Sequence, residues 1–267
     1  MGSRGSAAKN TGGSAVAPPS YYTNTNNASI NAVFQQLQQQ MTDPTPSQPP
    51  VNVDAADTLS KMTDDELAAL ANASKKVDMP NHLNDVSDAT QRFVYAAGLN
   101  GKPQSLDASE FAQYMADNRI SQSKVMSRSV NGNTITVNGT QMVLSSAMIK
   151  AQFTDSKYNY IGGKYGGMAI GAGTYFDMNG GGNTGYGGDT MTAILSPSAR
   201  VIDSSTLSLQ ARQFAQSHPK FARAVGAYNT NFYGNNMSIY ALAMGYNVIK
   251  SGSYHNVIDR TAVIVRK

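Results

Sequence analysis

The segment Gly162–Asp177, GGKYGGMAIGAGTYFD, carries six glycines in sixteen residues and closes on Thr174, Tyr175 and Phe176, three good strand formers. Glycine inside a strand pattern costs backbone entropy and offers no side chain to pack, so it marks a bulge or a place where backbone or ligand approaches closely. A second run, NGGGNTGYGGD at Asn179–Asp189, follows at once, so two permissive loops bracket one short strand. Neither run is a phosphate-binding loop with a following Gly-Lys-Ser/Thr. The first leads into a strand rather than opening a helix, as a dinucleotide fingerprint must.

Working outward, KVMSRSV at Lys124–Val130 alternates, with Val125, Ser127 and Ser129 on one face and Met126, Arg128 and Val130 on the other. NTITVNG at Asn133–Gly139 is expected to pair with it as a hairpin, and SSAMIKAQF at Ser145–Phe153 reads as a helix. Downstream, DTMTAILS, ARVID, YNVIKSG, HNVID and TAVIVRK read as strands, and helices are expected around 206–218, 219–227 and 236–244. Short strands mixed with helices in no regular alternation imply an α+β fold rather than a doubly wound sheet.

Before Ile120 the pattern is helical. Thr63 with Glu66 and Asp107 with Glu110 form two capping boxes, in which side chain and backbone satisfy each other's orphan groups at a helix start. Between them, DATQRFVYAAGLNG turns Phe93, Val94, Ala97 and Leu99 toward a core and stops at Gly98 or Gly101. Residues 1–52 are rich in Gly, Pro, Ser, Asn and Thr, a composition that cannot offset the entropy of ordering. ASINAVFQQLQQQM inside that tail places Ile30, Val33, Phe34 and Leu37 at helical spacing, as a docking helix would. The expected organisation is a disordered tail (1–52), a helical lead-in (53–120) and an α+β domain (121–267).

Composition narrows the chemistry. The 267 residues include no cysteine, which excludes disulfides, thiolate metal sites and cysteine nucleophiles. Three scattered histidines, His82, His218 and His255, do not make a metal site, and none is expected. The net charge of +4 comes from basic residues that form no run, so a nucleic-acid stripe is not expected, although Arg200, Arg212, Lys220, Arg223, Lys250, Arg260, Arg266 and Lys267 face few acids. No stretch approaches the roughly 20 apolar residues of a membrane span, and no membrane association is expected. Arg128, on the strand face of Met126 and Val130, either snorkels to an edge or holds an anion with its planar fork.

From Asp85 to Lys267, the order of KPQSLDASEFAQYMADNRISQSKVMSRSV, YIGGKYGGMAIGAGTYFD, YGGDTMTAILSPSARVID and GYNVIKSGSYHNVIDRTAVIV resembles the phage-encoded members of the ADP-ribosyltransferase superfamily. The resemblance implies a split mixed β-sheet with flanking helices and NAD as substrate. It places Arg128 in the first-strand position and Gly173, Thr174 and Tyr175 in the second. The late-strand glutamate of the family has no counterpart, because no glutamate follows Glu110. At the corresponding spacing before Arg260 stand Ser253, Tyr254 and His255, with Asn256 next and Asp259 the nearby carboxylate. The resemblance thus implies Arg128 and Asn256 as catalytic residues and Arg128, Gly171, Gly173, Thr174, Tyr175 and Phe176 as the NAD-binding set.

Transfer from NAD passes through a ribosyl group of oxocarbenium character, so the ring, ribose and diphosphate must be held in one pose. An arginine fork suits the diphosphate. The glycine strand would let the flat nicotinamide lie against backbone, with Tyr175 stacked on it. The resemblance leaves three functions open: a phage-carried ADP-ribosyltransferase acting on a host protein or nucleic acid, with its N-terminal tail docking it to phage head proteins, a catalytically silent NAD-binding relative, or a phage head-associated structural protein using the fold only as a module. The corresponding locations are the virion or the host cytoplasm.

Overall fold

The computed structural model describes residues 55–77, 89–99, 101–130, 134–137, 140–143, 146–154, 171–178, 190–226 and 236–267. The N-terminal tail with its docking helix and both glycine loops, 162–167 and 179–189, lie outside the described residues. In chain order the helices are α1 (Ala55–Ser60), α2 (Asp64–Ser74), α3 (Ala89–Ala96), α4 (Ala108–Asp117), α5 (Ser146–Thr154), α6 (Ser204–Ser217), α7 (Pro219–Val225) and α8 (Asn236–Ala243). The strands are β1 (Gln104–Leu106), β2 (Met126–Ser129), β3 (Thr134–Val137), β4 (Thr140–Val143), β5 (Thr174–Asp177), β6 (Thr190–Leu195), β7 (Val201–Asp203), β8 (Val248–Ser251), β9 (Tyr254–Val257) and β10 (Val263–Arg266).

Eight strands form one mixed sheet in the order β1-β10-β6-β2-β5-β9-β8-β7, giving the α+β architecture read from the sequence. The two outermost pairs, β1 with β10 and β7 with β8, are parallel; every inner pair is antiparallel. A parallel pair needs a crossover connection, and α6, α7 and α8 supply it between β7 and β8. At the middle, β2 and β5 share one registered pair, Ser127↔Asp177, whereas β2 and β6 share four. Two four-stranded halves therefore meet at a narrow junction.

The hairpin expectation changes in its partner. Thr134–Val137 pairs with Thr140–Val143, in a two-stranded sheet of its own, and not with β2. The Asn138-Gly139 dipeptide between them is the strongest short-range signal for a two-residue hairpin, and it outweighs the longer connection back to β2. The three residues of β1, too few to show alternation, were not readable as a strand.

Both capping boxes form. Thr63 Oγ1 accepts from Glu66 N at 3.3 Å while Glu66 Oε2 accepts from Thr63 N at 2.8 Å, and Asp107 and Glu110 repeat the arrangement at α4. Thr63→Ala is expected to lower the unfolding free energy by about 1 kcal/mol, read as a shift in the denaturation midpoint at constant slope. The α3 helix ends where Gly98 takes φ +70°, with Leu99 N donating to Val94 O at 2.9 Å, the glycine-terminated turn that closes many helices.

On one sheet face, α1, α2, α3, α6, α7 and α8 cover the half that carries β7 and β8. Their core joins Leu67, Phe93, Leu207, Phe221 and Tyr240 to Ile202 and Ile249 of the sheet. The helices before residue 100 thus share a core with those after residue 200. Asp64, in the first turn of α2, also caps α7, accepting from Lys220 N at 3.0 Å and Phe221 N at 2.8 Å. Burial opposes its charge, but those two amides, with the charges of His218 and Lys220, hold its carboxyl below the usual value. On the same sheet face, α4 covers the other half, through Phe111 and Met115 on Ile194 and Ile264. The opposite face packs Met126, Phe176, Met191 and Val257 against Phe153 of α5.

Candidate functional site

The β2–β5 junction brings together two parts that lie 47 residues apart in sequence. Arg128 Nη1 donates to the carbonyl of Tyr175 at 3.2 Å. Strand pairing at this point is down to one residue pair, so the guanidinium supplies a cross-strand bond where the ladder itself is thin. Its side chain is half-buried, on the face of Met126 as the alternation predicts.

What approaches the glycines is the chain's own side chains. At Gly171, whose φ is +95°, an added Cβ would sit 2.5 Å from Ser238 Oγ; at Gly173 it would sit 1.9 Å from Asn256 Oδ1 and 2.9 Å from the carbonyl of Val257. Asn256 is fully buried, and its Nδ2 donates to the carbonyls of Gly171 (3.1 Å) and Ala172 (3.3 Å). Ser238 Oγ on α8 donates to the Ala172 carbonyl at 2.5 Å, and Tyr175 Oη to that of Gly171 at 2.6 Å. Three polar side chains therefore satisfy a buried, non-ladder stretch of main chain that would otherwise carry a desolvation cost. The expectation that a nicotinamide fills the space over Gly171 and Gly173 does not match this packing, because Asn256 and Ser238 already occupy it.

The other named residues divide by strand face. Thr174 and Phe176 are buried, and Phe176 meets Phe153 edge-on at 5.8 Å in the core. Tyr175 packs under the helices with Asn256 opposite it on β9. Register puts Arg128 on the Phe176 face and Asn256 on the Tyr175 face, so the two residues named as catalytic lie on opposite sides of the sheet. Asp259 caps the short 3₁₀ turn Arg260–Ala262, accepting from Thr261 N and Oγ1 at 2.9 Å, a turn role that its place after the strand predicts. Arg260 is buried and donates to the carbonyl of Phe153 at 2.8 Å, which ties α5 to the end of β9.

His255 lies buried opposite Phe176 and Lys250. Burial holds its imidazole below the usual value, helped by the charges of Lys250 and Lys124 and opposed by a backbone hydrogen bond at Ser253. A histidine whose folded pKa is depressed stabilises the fold fully above its unfolded value of about 6.5, and loses that contribution as pH falls through the folded value. The parent is therefore expected to lose stability between pH 6.5 and 5 relative to His255→Gln, in denaturant titrations at each pH. Superimposable profiles would show that His255 protonates freely in the fold.

One residue of this region escapes a reading of the sequence: Ser238 carries no motif, and only the tertiary contact reveals it. Among the described residues, no helix is long and apolar enough to cross a membrane. No family model, curated protein or solved structure matches the chain.

Proposed function

We propose that the chain binds NAD at the β2–β5 junction and transfers its ADP-ribosyl group to a host macromolecule. The observation that carries this reading is the 3.2 Å bond from Arg128 to the Tyr175 carbonyl, which sets an arginine fork against the strand that follows the glycine segment. The bond restrains one end of the guanidinium, and a restrained fork suits a diphosphate. In the reaction the bond between ribose C1′ and the nicotinamide nitrogen breaks, and its electron pair leaves with the neutral nicotinamide. A nucleophile on the acceptor bonds C1′ and gives up its proton, so NAD⁺ and the acceptor yield ADP-ribosyl acceptor, nicotinamide and one proton. Of the NAD-binding set read from the sequence, Arg128 is retained; it meets Tyr175 only through its main-chain carbonyl, while the Tyr175 ring packs on the opposite sheet face. Gly171 and Gly173 shape the strand rather than touch the nicotinamide.

One observation favours the silent-relative reading. Asn256, the residue read as the substitute for the family's acid near its place, is buried on main-chain carbonyls and has no charge to offer. Incubation of the protein with labelled NAD and a bacterial lysate separates the two, since transfer labels a macromolecule and a silent binder retains intact NAD. Arg128→Lys keeps the charge and loses the fork, and is expected to weaken NAD binding about tenfold, equivalent to about 1.4 kcal/mol. Unchanged affinity by calorimetry removes Arg128 from the site.

A further inference from the structure

The β3–β4 hairpin stands outside the eight-stranded sheet. Among the described residues its two strands pair only with each other, so each has one edge with no strand beside it. A lone two-stranded hairpin is marginal in water, and an open edge is a template for another strand. Natural edges are blunted by charge, lysine above all, or by proline. This hairpin has neither, because from Ser129 to Ile149 the chain carries no charged residue and no proline. All four residues of β3 (Thr134, Ile135, Thr136 and Val137) are β-branched and favour a strand, whereas β4 has only Thr140 and Val143 of that kind.

Register fixes which amides face outward. Val137 and Thr140 flank the two-residue turn, so they form the closing pair that exchanges hydrogen bonds within the hairpin. Bonded and non-bonded pairs alternate along an antiparallel ladder. Ile135 is therefore bonded to Met142, while Thr134 and Thr136 turn their backbone N–H and C=O groups away from β4. Thr134-Ile135-Thr136 also reads the same in both directions. A second copy of β3 laid antiparallel on this edge, with a two-fold axis at Ile135, sets each Thr134 opposite a Thr136. Those pairs exchange main-chain hydrogen bonds through the outward groups alone, and Ile135 meets its own copy as the non-bonded pair between them. Self-pairing brings no like charges together, since the strand has none. We infer that the open edge of β3 is a self-association surface, on which two copies of the chain join their hairpins into one antiparallel sheet in the order β4-β3-β3-β4. The contact is isologous, the same patch on both copies, so β3 is used up in a dimer. One short strand pair buries less than a lasting interface needs, and the association is accordingly weak and concentration-dependent. It uses neither β2 nor β5 and is independent of the NAD reading.

The chain has no cysteine, so single cysteine substitutions in the full chain report the contact directly. Opposed residues of a non-bonded pair have Cα atoms about 4.5 Å apart, within the span of a disulfide. Ile135→Cys is expected to give a covalent dimer under mild oxidation. Val137→Cys is expected to stay monomeric under the same conditions, because the two-fold register leaves its two copies roughly 13 Å apart along the strands. Thr136→Pro removes an outward amide and no bond within the hairpin, and is expected to weaken the dimer at least about tenfold in sedimentation equilibrium. Gln141→Pro, the same change on the outer edge of β4, is expected to leave the dimer unchanged. If Thr136→Pro does not fold, the two cysteine variants decide. A parent that stays monomeric up to about 1 mM, no cross-link in Ile135→Cys, equal cross-linking in Val137→Cys, or loss of the dimer in Gln141→Pro alone overturns the inference.

Discussion

Phe221→Ala is expected to lower the unfolding free energy by about 4 kcal/mol. Phe221 is fully buried on α7 and meets Phe93, Phe214 and Tyr240 edge-on, with ring centroids 6.3, 5.9 and 5.3 Å away. Its removal takes away apolar area and also leaves a cavity bounded by three rings on three different helices, which cannot close without moving those helices. Phe93 belongs to α3, so the damage spans both ends of the chain. Unfolding followed by aromatic fluorescence and by far-ultraviolet circular dichroism is expected to shift by the same amount for this variant. A loss under 1 kcal/mol, or a separate early transition for the N-terminal helices, would contradict a shared core.

The second large effect belongs to Gly173→Ala, expected to cost about 3 kcal/mol by overpacking. The new methyl would fall 1.9 Å from Asn256 Oδ1 and 2.8 Å from its Cγ. A flexible side chain would swing clear. Asn256 is fully buried and held by two main-chain carbonyls, so moving it breaks both of its hydrogen bonds in a site closed to water. Pairing Gly173→Ala with Asn256→Ala removes the closest contact but leaves the Val257 carbonyl at 2.9 Å, so the double variant is expected to recover only part of the loss relative to additivity. A fully tolerated Gly173→Ala would mean that the glycine space is open, as a ring-binding role requires.

Much of the fold was legible in local chemistry. Capping boxes at Thr63 and Asp107 gave two helix starts to the residue, and the apolar runs of β6, β8 and β10 marked buried strands without any knowledge of their neighbours. Periodicity also placed Arg128 and Met126 on one face. What local chemistry could not show were contacts made over long separations. The glycines announce a close approach but not its source, and Asn256 and Ser238, which make it, arrive more than sixty residues later. In the same way β1 is too short to declare itself and exists because Val265 and its neighbours on β10 receive it. For the site, the residue types at Arg128 and Tyr175 were readable and their 3.2 Å meeting was not.

The parallel pairing of β1 with β10 has a consequence for how the chain reaches its fold. β10, which comes long after β1 in the chain, is the strand on which β1 rests, and it also fills the place between β1 and β6. During synthesis β1 and the edge of β6 consequently wait unpaired until β10 has emerged. Such distant pairings close slowly, because the entropy of the whole intervening loop is lost before any contact rewards it. Loss of Val263–Arg266 would strand β1 and uncover β6 together, so a nascent chain stopped before β10 is the form most in need of a chaperone.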